Sequence, residues 1–170
     1  MRNNALRELT LMAFFAGLML ALKYLLIFLP NVQVISLLII LAFKVFGFKK
    51  TAMIVLVYVT VDSLILSMNL YYFVLLVGWL LLPLLLLVIK SDSELVLAIV
   101  GAVHAVFYCL LFAVFNVFLI MEIDFRTYII LDIPYMLILM VSAFVSVYWL
   151  YRPLKKAFDS IINENIVEDK

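Results

Sequence analysis

Residues 9–29 form an apolar run whose only charge is Lys23. A run of that length crosses a bilayer as a helix, and five further apolar segments follow it, at 32–46, 51–67, 70–89, 94–121 and about 128–151. The chain is 69% hydrophobic and 14% charged, with a mean hydropathy of +1.31. A water-soluble domain of 170 residues does not tolerate that balance. The runs are continuously apolar rather than alternating, which disfavours a β-barrel. The expected fold is an all-α membrane protein with six transmembrane helices.

Polar punctuation divides the spans. Leu29-Pro30-Asn31-Val32 closes the first, because proline lacks a donor and pushes the residue before it out of α geometry. Gly47 precedes Lys49-Lys50, Ser67-Met68-Asn69 makes a turn, and Lys90-Ser91-Asp92-Ser93 is a connector with Asp92 or Ser93 as an N-cap. Gly78 and Pro83 predict a kink in the fourth span. Arg152-Pro153 is expected to end the sixth. This gives one six-helix domain over residues 1–156 and a polar tail over 157–170. Arg2 and Arg7 imitate a signal peptide, but the run is too long and lacks a cleavage site before Pro30, so it reads as a retained first span.

Basic residues set the expected orientation. With the N-terminus inside, Arg2, Arg7, Lys44, Lys49, Lys50, Lys90, Arg152, Lys155, Lys156 and Lys170 share one face. The other face receives only Arg126, so both termini are expected in the cytoplasm. The net charge of +1 says little about nucleic acid, since the charges cluster at chain ends and loops, and no nucleic-acid partner is expected.

Three charges remain inside spans: Lys23, Asp62 and Asp132. Charges in hydrocarbon cost a few kcal/mol each and usually face a partner or a water-filled cavity. Lys23 lies fourteen positions past Leu9, roughly 21 Å along the helix axis, and Asp62 eleven past Thr51, roughly 17 Å. That similar depth predicts that the two pair at the floor of an outward-facing cavity. Tyr58 and Tyr128 stand one turn before the two aspartates, on the same helix faces. The candidate ligand contacts are Lys23, Tyr58, Asp62, Tyr72, Trp79, Asn116 and Asp132, joined by Asn31 and Gln33 of the polar turn.

The other reactive side chains read as structural. Cys109 is the single cysteine, which excludes an internal disulfide and a multi-cysteine metal site, and it is expected to pack. His104 has no second ligand type at helical spacing and is expected to be a hydrogen-bonded core residue. No phosphate loop, HExxH or GxSxG motif is present, and nothing supplies a catalytic set. The chain is therefore read as a non-enzyme without metal or cofactor. Ala13, Gly17 and Ala21 recur every fourth residue along one face, where small side chains let a second helix approach closely in lipid.

In their order and spacing these features resemble the substrate-binding (S) components of energy-coupling factor (ECF) transporters of prokaryotes. The resemblance spans nearly the whole chain. It is carried by the Ala13/Gly17/Ala21 helix, Leu29-Pro30-Asn31-Val32, Val45-Phe46-Gly47, Trp79, Ile133-Pro134-Tyr135 and Tyr151-Arg152-Pro153-Leu154. It implies a multi-pass cell-membrane protein that captures a vitamin, a vitamin precursor or a similar metabolite in a pocket open to the outside. It further implies docking, through the small-residue stripe, on a transmembrane coupling (T) protein joined to two cytoplasmic ATPases. Relatives often carry Asp, His and Asn where this chain has Met136, Leu139 and Ala143, so a less polar pocket is expected. A non-transporting interaction protein of the same fold is the alternative.

Overall fold

A computed structural model of the chain describes residues 2–29, 34–120 and 124–167. Five α-helices follow in order: α1 (Arg2–Leu25), α2 (Ile35–Ile65), α3 (Tyr71–Val88), α4 (Glu94–Phe115) and α5 (Phe125–Val167). A π-helical turn, Asn116–Ile120, extends α4, and there is no strand among the described residues. The all-α expectation holds.

Among the described residues, four stretches are long and apolar enough to cross a bilayer: Leu6–Leu25, Tyr71–Val88, Glu94–Leu119 and Phe125–Ser160. Their outward faces carry large apolar side chains such as Phe73, Val77, Ile99, Phe107, Ile130 and Val141. So wide an apolar exterior has lipid as its natural solvent.

The helix α2 accounts for the difference between six expected spans and four. Gly47 breaks it with φ 76° and ψ 176°, and the two arms run in opposite directions. In the first arm, residues 35–46, Ile40 lies against Gly101 and Lys44 pairs with Asp92, so this arm heads towards the start of α4. In the second arm, residues 48–65, Lys50 pairs with Glu8 and Asp62 with Lys23, so this arm follows α1. Two antiparallel helical arms therefore exist where one helix is assigned. The first is only about 18 Å long at 1.5 Å per residue, and the second carries Lys49, Lys50 and Asp62.

Eight consecutive residues of the first arm, Ile35 to Ala42, are buried. A helix buried on every side must be apolar on every side, and apart from Ser36 this one is. It forms the centre of the bundle. Among the described side chains of α1, the Phe15/Ala16/Met19 face is the buried one, and Phe15 meets Phe46 edge-on at 5.5 Å and Phe158 at a tilt at 4.7 Å between ring centroids.

Two sequence expectations change. Ser93 takes the N-cap position of α4 but makes no side-chain capping bond; Ser91 Oγ accepts from the Ser93 N–H instead. The helix α5 runs straight through Pro153 to Val167 and does not end at Arg152. The proline costs only the bond to the carbonyl four residues back, that of the exposed Trp149. Beyond it Leu154 and Phe158 pack on the core, which holds the helix together. Much of the expected tail is thus a helical continuation of the domain.

The ion pairs mark the two ends of the bundle. Lys50–Glu8, Lys44–Asp92, Arg152–Glu94 and Lys155–Asp159 gather at one end. There the Lys44 ammonium holds Asp92 below the usual carboxylate range. Asp92 is exposed, so the pair is worth little to stability. What it adds is present at neutral pH and lost as acid protonates the carboxylate. Among the described residues, Lys23–Asp62 is the ion pair at the other end.

Candidate ligand cavity

Lys23 and Asp62 meet as their depth along the two helices requires. Lys23 Nζ lies 2.6 Å from Asp62 Oδ2, and Tyr24 Oη donates to Asp62 Oδ1 at 3.2 Å. The carboxylate side chain is 2% exposed and the lysine side chain 27%. Both carboxylate oxygens thus have donors, which is what makes a buried charge tolerable. Lys23 Nζ also lies 5.9 Å from the Tyr24 ring centroid, within reach of a cation–π contact.

Above this pair opens a cavity of about 270 Å³. Lys23, Tyr58, Leu75, Trp79, Tyr108, Cys109, Phe112, Tyr128, Asp132 and Leu139 line it. A second space of about 260 Å³ shares Lys23, Leu75 and Phe112, and extends to Ser63, Asn69 and Tyr71 at the chain turn before α3. One wall is a file of aromatic rings. Tyr58 meets Trp79 edge-on at 6.4 Å, Trp79 meets Tyr108 at 4.9 Å, and Tyr108 meets Phe112 at 4.8 Å.

Packing fixes that file. A Cβ built on Gly78 would come 2.8 Å from Tyr108 Cδ2, so only glycine lets this ring lie against α3. His104 is buried and bonds Gly78 O through Nε2 at 2.9 Å, which ties α4 to α3 one turn below Tyr108. It is the hydrogen-bonded core histidine expected. At the rim, the Asn116 side chain accepts from Tyr71 Oη at 2.5 Å and donates to Tyr128 Oη at 2.9 Å. Asn116, the first residue of the π-helical turn, thus bridges α3 and α5 with one amide.

Across from the aromatic wall stands Asp132. Cys109 lines the same cavity. Asp132 makes no ion pair among the described residues. Below it the surface becomes apolar, because Leu139 and Ala143 are buried against Ala105 and Cys109, with Met136 alongside. Those positions serve helix packing, as their side chains suggest.

The structure brings Lys23, Tyr58, Trp79 and Asp132 onto one cavity, with Asp62 bound directly to Lys23. Asn116 acts at the rim as a clamp between two tyrosines. Tyr72 stands apart, its hydroxyl 3.4 Å from Thr60 Oγ1, and it does not line the cavity. Asn31 and Gln33 lie outside the described residues. Tyr24, Tyr108 and Phe112 escape a reading focused on charges. Their signal is present all the same: His104, Tyr108, Phe112 and Asn116 recur every four residues and mark one face of α4.

The stripe of Ala13, Gly17 and Ala21 is exposed, on the opposite side of α1 from Phe15 and Met19. Nothing lies within 4 Å of a Cβ built on Gly17. Among the described residues, no other helix packs there.

Comparison with family models, with curated proteins and with solved structures gives no match.

Proposed function

We propose that the chain is a non-catalytic S component of an ECF-type importer. It would capture a vitamin, a vitamin precursor or a similar small metabolite and dock on a T protein with two ATPases. The observation that carries this reading is the cavity itself: an aromatic wall, a fixed ion pair and a lone carboxylate around an opening at one end of the bundle. A pocket with apolar walls and few, well-placed polar groups is the usual form of a small-molecule site. The exposed small-residue stripe supports the docking half, since it leaves α1 free to meet a helix of another protein in lipid.

Gly17→Leu is the test of docking. The variant, isolated from native membranes, should keep a bound small molecule identifiable by mass spectrometry, while recovery of T protein and ATPases falls about tenfold. A variant that assembles and transports normally defeats the docking half. Neither a bound molecule nor a coupling complex with the unmodified chain defeats the proposal.

In this reading α2 supplies two of six spans and both termini are cytoplasmic. Single cysteines placed at Lys50, Asn69, Lys90 and Asp124 in a Cys109→Ala chain report the orientation. An impermeant maleimide on intact cells should label those at Asn69 and Asp124 and spare those at Lys50 and Lys90. The reverse pattern refutes it.

A further inference from the structure

We infer that the cavity takes a small organic cation, its positive group seated between the Asp132 carboxylate and the aromatic faces of Trp79, Tyr108 and Tyr128. This rests on the reading of the cavity as a ligand site.

The charge balance carries the inference. Lys23 is engaged, at 2.6 Å from Asp62, so the pair is close to neutral as seen from the cavity. Asp132 remains as the carboxylate on the wall that makes no ion pair among the described residues. Among the described residues no other cation lines the cavity: Arg126 is exposed and does not line it. The sequence over residues 30–33 is uncharged.

Three classes of ligand meet this wall differently. An anion must draw Lys23 away from Asp62 and approach a second carboxylate, at a cost on both counts. A neutral molecule leaves Asp132 desolvated and unpaired. A cation neutralises Asp132 and meets ring faces that attract positive charge. A bare metal ion asks for six or more oxygen ligands or for several nitrogen and sulfur ligands, and rings supply neither. The aromatic file from Tyr58 to Phe112 suits instead an organic group carrying its charge on nitrogen.

The test uses three probes that share a benzyl group: benzyltrimethylammonium, phenylacetamide and phenylacetate. In a full-length Trp149→Phe chain, Trp79 is the one remaining tryptophan and its fluorescence reports the cavity. Benzyltrimethylammonium should saturate the signal at about tenfold lower concentration than either other probe. Asp132→Asn should abolish that preference and Asp132→Glu retain it, with unchanged elution on size exclusion showing that both fold. Tighter binding of the amide or the anion, or a preference untouched by Asp132→Asn, overturns the cation while sparing the cavity as a ligand site. If no probe binds, a molecule extracted from protein purified from native membranes decides. A cation upholds the inference, and a neutral or anionic molecule overturns it. Silence of all three probes with no extracted molecule overturns the ligand-site reading as well.

Discussion

Lys23→Met is expected to destabilise the protein by about 3–5 kcal/mol, the cost typical of stripping one partner from a buried ion pair. The geometry makes the two single variants unequal. Removing the lysine leaves the Asp62 carboxylate, 2% exposed, with only the Tyr24 hydroxyl to hold it. Removing the carboxylate by Asp62→Asn leaves an ammonium that is already 27% exposed and opens on the cavity. A lysine so placed can move its charge towards water along a flexible stem. Asp62→Asn should therefore cost less, on the order of 1–2 kcal/mol for the weakened hydrogen bonding that remains. The double variant should be more stable than Lys23→Met alone, because no buried charge is then unpaired. Reversible unfolding in mixed micelles measures all three and closes the double-mutant cycle. Simple additivity, or a larger loss in Asp62→Asn than in Lys23→Met, would show that the pair does not hold the site in this way.

Gly47→Ala is expected to cost about 1–3 kcal/mol, though the added methyl touches nothing. The space around Gly47 is open, with no atom within 4 Å of a built Cβ. Its backbone, at φ 76° and ψ 176°, lies in a region open essentially to glycine alone. Any loss is therefore conformational, and it falls where α2 reverses between its two arms. Gly17 is the control. It too has open space, but it sits inside regular helix, where replacing glycine by alanine removes unfolded-chain freedom. Gly17→Ala should stabilise by about 0.5–1 kcal/mol. Opposite signs from two equally uncrowded glycines would isolate the backbone effect. A neutral Gly47→Ala would mean that another backbone path through the reversal is as good.

Some of the site was legible in the sequence because insertion into a bilayer is a one-dimensional problem. A helix rises 1.5 Å per residue, so counting from the start of each span fixed the depths of Lys23 and Asp62. The high cost of a lone charge in lipid then called for their pairing. The i, i+4 rule put Tyr58 on the face of Asp62 and Tyr128 on that of Asp132, and all but Asp62 line the cavity, with Asp62 bound to Lys23. Tyr72 misled because adjacent residues on a helix point about 100° apart, so Tyr71 at the rim leaves Tyr72 turned away.

The sequence by itself determined the all-helical membrane character and the depth of each buried charge, since hydropathy and helical rise act locally along one chain. Tertiary structure alone decided which faces meet. It made the first arm of α2 the buried centre, because only a helix surrounded on all sides hides Ile35 to Ala42 together. Packing of Leu154 and Phe158 carried α5 through Pro153 where local propensity called for a stop. It seated Tyr108 on the bare backbone of Gly78. And it turned Ala13, Gly17 and Ala21 outward, because the Phe15 and Met19 face of α1 had the larger side chains to bury in the core.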